Sequence, residues 1–100
     1  MDVSELITQC TGFQWDEGNL SKVWERHRVT PDECEQVFVN KPLSAVLNGE
    51  HSTVEEERFT AFGQTRAGRR LCIVFTVRGS LIRVVSARDM NRRERKAYAK

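Results

Sequence analysis

No apolar run in the sequence approaches the roughly 20 residues that span a bilayer, so no membrane-spanning helix and no membrane partner is expected. Met1–Thr11 has neither a basic start nor a long apolar centre. It does not read as a secretory signal, and the cytoplasm is the expected location. Cysteine is scarce and odd in number: Cys10, Cys34 and Cys72. Three scattered thiols make a poor disulfide framework and show no C-x-x-C spacing, and neither His27 nor His51 stands at ligand spacing from them. Free thiols, buried or half-buried, are expected; a metal site is not, and neither is a cofactor. Internal repeats and low-complexity segments are absent. Nothing resembles the recognition helix of a helix-turn-helix, which ranks direct DNA binding last.

What is there is charge, unevenly placed. The chain of 100 residues is 39% hydrophobic and 30% charged, which indicates one globular domain. The net charge is only +2. Residues 1–65 nevertheless carry five basic and twelve acidic side chains, a net −7, while residues 66–100 carry eleven basic and two acidic, a net +9. Such asymmetry points to a polyanionic partner for the basic half. The competing reading is that the two halves fold over one another and neutralise locally.

The order of elements predicts an α+β fold. Residues 1–12 read as a loosely ordered lead-in and residues 13–100 as a single small domain. Phe13 and Trp15 flank Gln14 in a short edge strand. Asp16–Asn19 turns into a helix with Leu20, Val23, Trp24 and His27 on one face. Lys22, Glu25, Arg26 and Arg28 fall mostly elsewhere around it. Thr30-Pro31-Asp32-Glu33 starts a second helix with a capping box, striped by Cys34, Val37 and Phe38 and ended by Asn40-Lys41-Pro42. This N-terminal helix pair should pack on an antiparallel sheet of about four strands. Its strands are a short one at Leu43–Leu47, then Glu57–Gln64, Arg70–Val77 and Leu81–Ser86. Between the first two lies a polar, acidic loop in which His51 should be solvated. The strand Arg70–Val77 is apolar on both faces and belongs in the middle of the sheet. A short basic helix follows, capped by Asp89 or Asn91 and anchored only by Ala97 and Tyr98. Trp15 and Trp24 read as core rather than as stacking platforms.

The stretch Leu81–Arg95 stands out. Arg83 interrupts an apolar strand, Arg88 follows near its end, and Arg92, Arg93 and Arg95 come within two turns. A guanidinium is a planar fork of donors that stays charged and matches phosphate oxygens in pairs.

Several motifs have a familiar order. F-x-W-D lies at Phe13–Asp16, R-H-x-V at Arg26–Val29 and E-x-V-F-x-N-x-P-L at Glu35–Leu43. H-S-x-x-E-E-x-R-F follows at 51–59, and R-V-V-S-A-R-D-M-x-R-R-E-R-x-x-Y closes the chain at Arg83–Tyr98. In these the chain resembles the BrnT family of toxins from type II toxin–antitoxin modules. It departs from the family pattern at Arg28, where glycine is usual, at Val23 in place of asparagine, and at Asn19 in place of lysine. The resemblance implies a RelE-like fold and ribonuclease activity on RNA. It also implies a BrnA-like antitoxin with a ribbon-helix-helix part, and operator DNA bound only through the complex.

Metal-independent RNA cleavage needs a base for the 2′-hydroxyl, an acid for the leaving oxygen and cations for the phosphorane. On that reading Arg83 and Arg88 are the phosphate clamps, joined across the sheet by Arg58. His27 is the acid or base, or else merely packs at its helix end. Glu57 is an alternative base or a surface ion-pair partner. Tyr98 donates a proton, stacks on a base, or anchors the last helix. Arg69, Arg70, Arg92, Arg93 and Arg95 grip backbone phosphates. The rival function is a catalytically degenerate module of the same fold, binding nucleic acid or an acidic protein without cutting.

Overall fold

Leu71, Ile73 and Phe75 are fully buried along one face of the strand Arg70–Arg78, and the other elements are arranged around it. The computed structural model describes residues 2–50 and 52–99; His51 lies outside the described residues. In chain order the elements are α1 (Val3–Thr8), β1 (Gly12–Phe13), α2 (Glu17–His27), α3 (Pro31–Val39), β2 (Ser44–Leu47), β3 (Phe59–Gln64), β4 (Arg70–Arg78), β5 (Leu81–Asp89) and α4 (Arg92–Tyr98). Their segregation is that of an α+β domain.

The sheet runs β1-β5-β4-β3-β2, with β4 at the centre. It has five strands and is mixed, which corrects the expected antiparallel sheet of about four. β1 pairs with β5 in parallel, and the other neighbours are antiparallel. β1 is two residues long, too short to show an alternation, and it is held by its flanks. Thr11 N–H donates to the Ser80 carbonyl at 2.8 Å and Gln14 N–H to the Ile82 carbonyl at 2.9 Å. Where the sequence shows no regular element, residues Val3–Thr8 form α1, capped by the Asp2 side chain. Leu6 and Ile7 of α1 pack against the core.

One sheet face is the core. Phe59, Ala61, Leu71, Ile73, Phe75, Ile82, Val84 and Ala87 lie there beneath Val37 and Phe38 of α3. Phe38 meets Phe75 edge-on, with ring centroids 5.0 Å apart. α3 approaches β3 closely because position 63 is glycine. A Cβ there would stand 2.7 Å from Val37 Cγ1. The capping box predicted for α3 is present, with Thr30 and Glu33 each accepting the other's backbone N–H.

α2 lies along the β5 edge. Its predicted apolar stripe is only partly realised. Val23 is buried, but Leu20 is 39% and Trp24 47% exposed, and His27 is exposed too. The residue that turns the helix this way is Asn19, 2% exposed. Beyond the end of β1, its amide donates to the Val84 carbonyl at 2.9 Å and to the Gln14 carbonyl at 3.1 Å. A buried carbonyl left without a partner costs about 1–3 kcal/mol, the same order as the gain from burying half of a tryptophan.

Candidate functional site

The outer sheet face, opposite the core, carries the arginines. By simple alternation Arg83 and Arg88, five residues apart, would point to opposite sides. They do not, because β5 contains an extra residue. Val84 pairs with Phe75 but Ser86 pairs with Val74, leaving Val85 as a bulge. Past the bulge the alternation is inverted. Ala87 joins Ile82 and Val84 in the core, while Ser86 and Arg88 come to the side already occupied by Arg83.

Only one of the two arginines reaches a cleft. A cavity of about 300 Å³ opens between the C-terminal half of α2 and the outer face. Val74, Val85, Ser86 and Ala87 line its floor; Lys22, Arg26 and His27 come from α2, Arg58 from the segment before β3, and Arg88 from β5. No Asp or Glu is among the lining residues. Arg58 is set by its own loop. Its N–H donates to Ser52 Oγ at 2.8 Å and its carbonyl accepts from Asn48 N–H at 2.8 Å. Its Nε donates to Glu56 at 3.2 Å, a carboxylate shared with Arg78. Arg88 is paired with Glu94 through both Nη atoms, at 2.7 and 2.9 Å. That pair holds the Glu94 carboxyl below its usual range and pushes the guanidinium up. The Arg88 side chain remains 40% exposed.

Arg83 is elsewhere. Asp16, the cap of α2, takes both its Nη atoms at 2.8 and 3.0 Å, and its side chain is only 14% exposed. It fastens the start of α2 to β5. Glu57 is not brought to the cleft either. It lies in a separate depression with Glu55 and Glu56, and its carbonyl accepts from Thr76 Oγ1 at 2.8 Å. Tyr98 sits in a third place, an apolar groove with Leu43, Phe62 and Ala97. Its hydroxyl donates to the Pro42 carbonyl and its ring lies 5.7 Å from the Arg70 guanidinium; burial raises the phenol above its ordinary value.

The remaining arginines divide in two. Arg69 is fully engaged, bonded to Glu33, Asp89 and the carbonyls of His27 and Arg28. Arg95 donates to the Met90 carbonyl at 2.6 Å. Arg92 and Arg93 are exposed on α4, and Arg93 borders the Tyr98 groove. Of the eleven candidates, then, the cleft gathers His27, Arg58 and Arg88. It adds Lys22, Arg26 and Ser86, which sequence reasoning passed over. Lys22 and Arg26 stand four apart on the helix that ends in His27, a spacing that signals a shared side. Ser86 lies two residues before Arg88 in the closing motif.

Four cations and an imidazole thus stand around one hollow, Arg58 and Arg88 each also bonded to a carboxylate. Guanidinium groups bind two phosphate oxygens together, and imidazole is the side chain whose ordinary titration range lies nearest neutrality. No curated protein matches the chain. Residues 15–94 match the family model of the ribonuclease toxin BrnT of type II toxin–antitoxin systems. That span runs from the tryptophan ahead of α2 to the carboxylate that pairs with Arg88, and the chain belongs to the BrnT family of ribonuclease toxins.

Proposed function

We propose that the chain is a metal-independent endoribonuclease working in the cleft between α2 and β5. The observation that carries this is the gathering of Lys22, Arg26, Arg58 and Arg88 with His27 around a hollow that no carboxylate lines. The ribose 2′-oxygen attacks the adjacent phosphorus as its proton leaves. The bond to the 5′-oxygen breaks as that oxygen gains a proton. The products are a 2′,3′-cyclic phosphate and a 5′-hydroxyl end. His27 exchanges protons with the reacting oxygens, and Arg58 and Arg88 stabilise the phosphorane. The cleft's own cations supply the charge for this. Arg70, Arg92 and Arg93 hold flanking phosphates, which adds affinity without sequence choice. The fold is read as RelE-like and the site of action as the cytoplasm. The antitoxin implied by the family is read as BrnA-like, with a ribbon-helix-helix part through which the complex reaches operator DNA.

The test is cleavage of an RNA oligonucleotide by the purified chain in excess chelator. Cyclic-phosphate ends are expected, and a single 2′-deoxy substitution at the cut should abolish that cut. His27→Ala and Arg88→Ala should each lower kcat by about 10²–10³, as for loss of one preorganised group. Salt-sensitive binding with no product at any concentration would instead favour the non-catalytic module.

A further inference from the structure

We infer that Arg69, outside the cleft, is the positioning residue that holds His27 in it; this rests on the cleft reading above. His27 is the last residue of α2; the N–H groups of Arg28 and Val29 close the final turn on the Trp24 and Val23 carbonyls, but the His27 carbonyl itself has no helical partner. A proton-transfer group carried there needs an outside restraint. The next residue makes that need sharper. Arg28 ends the helix in the left-handed region, φ 53° and ψ 43°, without being glycine. Arg69, in the turn entering β4, supplies the restraint. Its Nη2 donates to the His27 carbonyl at 3.0 Å and its Nη1 to the Arg28 carbonyl at 2.9 Å.

The same guanidinium is anchored on two further sides. Nε and Nη2 donate to the two Asp89 oxygens at 2.8 and 3.1 Å, and Nη1 donates to Glu33 at 3.1 Å. Arg69 is itself fixed to the turn, its N–H donating to Thr65 Oγ1 at 3.0 Å and its carbonyl accepting from Thr65 N–H at 2.9 Å. One side chain thus ties the end of α2 to the end of β5, the strand that carries Ser86 and Arg88. It completes the frame of the cleft without lining it. Only a planar fork does this; an ammonium is a single point and cannot span two carboxylates and two carbonyls in one plane.

The experiment compares Arg69→Lys, Glu33→Gln and His27→Ala in the purified full chain. It measures kcat, KM and Tm, and the His27 ring resonances by NMR. Arg69→Lys should lower kcat at least about tenfold with KM changed less than about twofold, and should shift the His27 resonances. Glu33→Gln leaves both carbonyl bonds in place and should lower Tm without moving kcat. Adding Arg28→Gly, which relaxes the left-handed turn, should restore part of the kcat lost by Arg69→Lys. Unchanged kcat and ring resonances in folded Arg69→Lys would overturn the inference. So would equal losses of kcat in Arg69→Lys and Glu33→Gln at matched Tm. If Arg69→Lys does not fold, Asp89→Asn, which loosens the guanidinium without removing it, decides on the same readouts. Full activity in His27→Ala would sink the cleft reading itself. An inactive His27→Ala beside an unaffected Arg69→Lys would sink only this inference.

Discussion

Arg83 and Arg88 have the same chemistry and opposite surroundings, so their variants should separate. Arg83 is enclosed, with Asp16 on its fork, and Asp16 is held below its ordinary carboxyl range first by that bond. Arg83→Ala should lower Tm, while its loss of RNA cleavage should be much smaller than that of Arg88→Ala. A loss of kcat in Arg83→Ala as large as in Arg88→Ala would remove the distinction. The sequence shows Arg83 as a charge in a strand and Arg88 just past its end, but says nothing of Asp16, which lies 67 positions away from Arg83. The thiols give a second test. Burial raises all three thiols, Cys34 up to about 12, but Cys10 is only half-buried while Cys34 and Cys72 are buried. Thiolate is the reactive form, so in the native protein Cys10 should alkylate first and Cys34 only on unfolding. Mass spectrometry after brief iodoacetamide treatment checks this order.

At the scale of elements, caps and periods were legible where the sequence carries local chemistry. The Thr30–Glu33 box starts α3 as the spacing predicts, and of the two caps offered for α4 it is Asn91 that starts it, boxed with Glu94. β4 is central because both its faces are apolar. The β5 bulge was not legible, since Val84-Val85 reads as uninterrupted alternation. The roll of α2 was missed because its cause is a polar residue, Asn19, reaching the carbonyl of a strand 65 positions away. Two predictions belong here. Gly63→Ala drives a methyl into Val37 and should cost about 1–3 kcal/mol by denaturant melts, with m unchanged. Asn91→Ala should cost α4 about 1 kcal/mol of cap. Because α4 buries none of its residues, that loss should appear as faster amide exchange in α4 rather than as a lower global Tm.

Over the whole molecule, the charge asymmetry is partly neutralised within the fold. Three of the six ion pairs among the described residues join the acidic half to the basic one: Arg69–Glu33, Arg78–Glu56 and Arg83–Asp16. The cleft cations are drawn from both halves as well. Asp16, Glu56, Asp89 and Glu94 are all held below ordinary carboxyl values, first by Arg83, Arg78, Arg69 and Arg88 respectively. Each binds its proton less readily folded than unfolded. Their stabilisation is therefore complete above the usual carboxyl range, ~4, and is lost as pH falls through it toward the lower folded values. Tm should hold level from pH 7 to about 5 and drop below that; a Tm that rises in acid would contradict the pairing. What the sequence determined alone was α2 to α4, the strands from β2 to β5, the apolar strand at the centre, the family motifs and the surplus of arginine, because each depends on neighbours within a few positions. Only the tertiary structure decided which arginines face a cleft and which are spent on the frame. That choice rests on one bulged residue and on carboxylates distant in sequence, and neither leaves a local periodic trace.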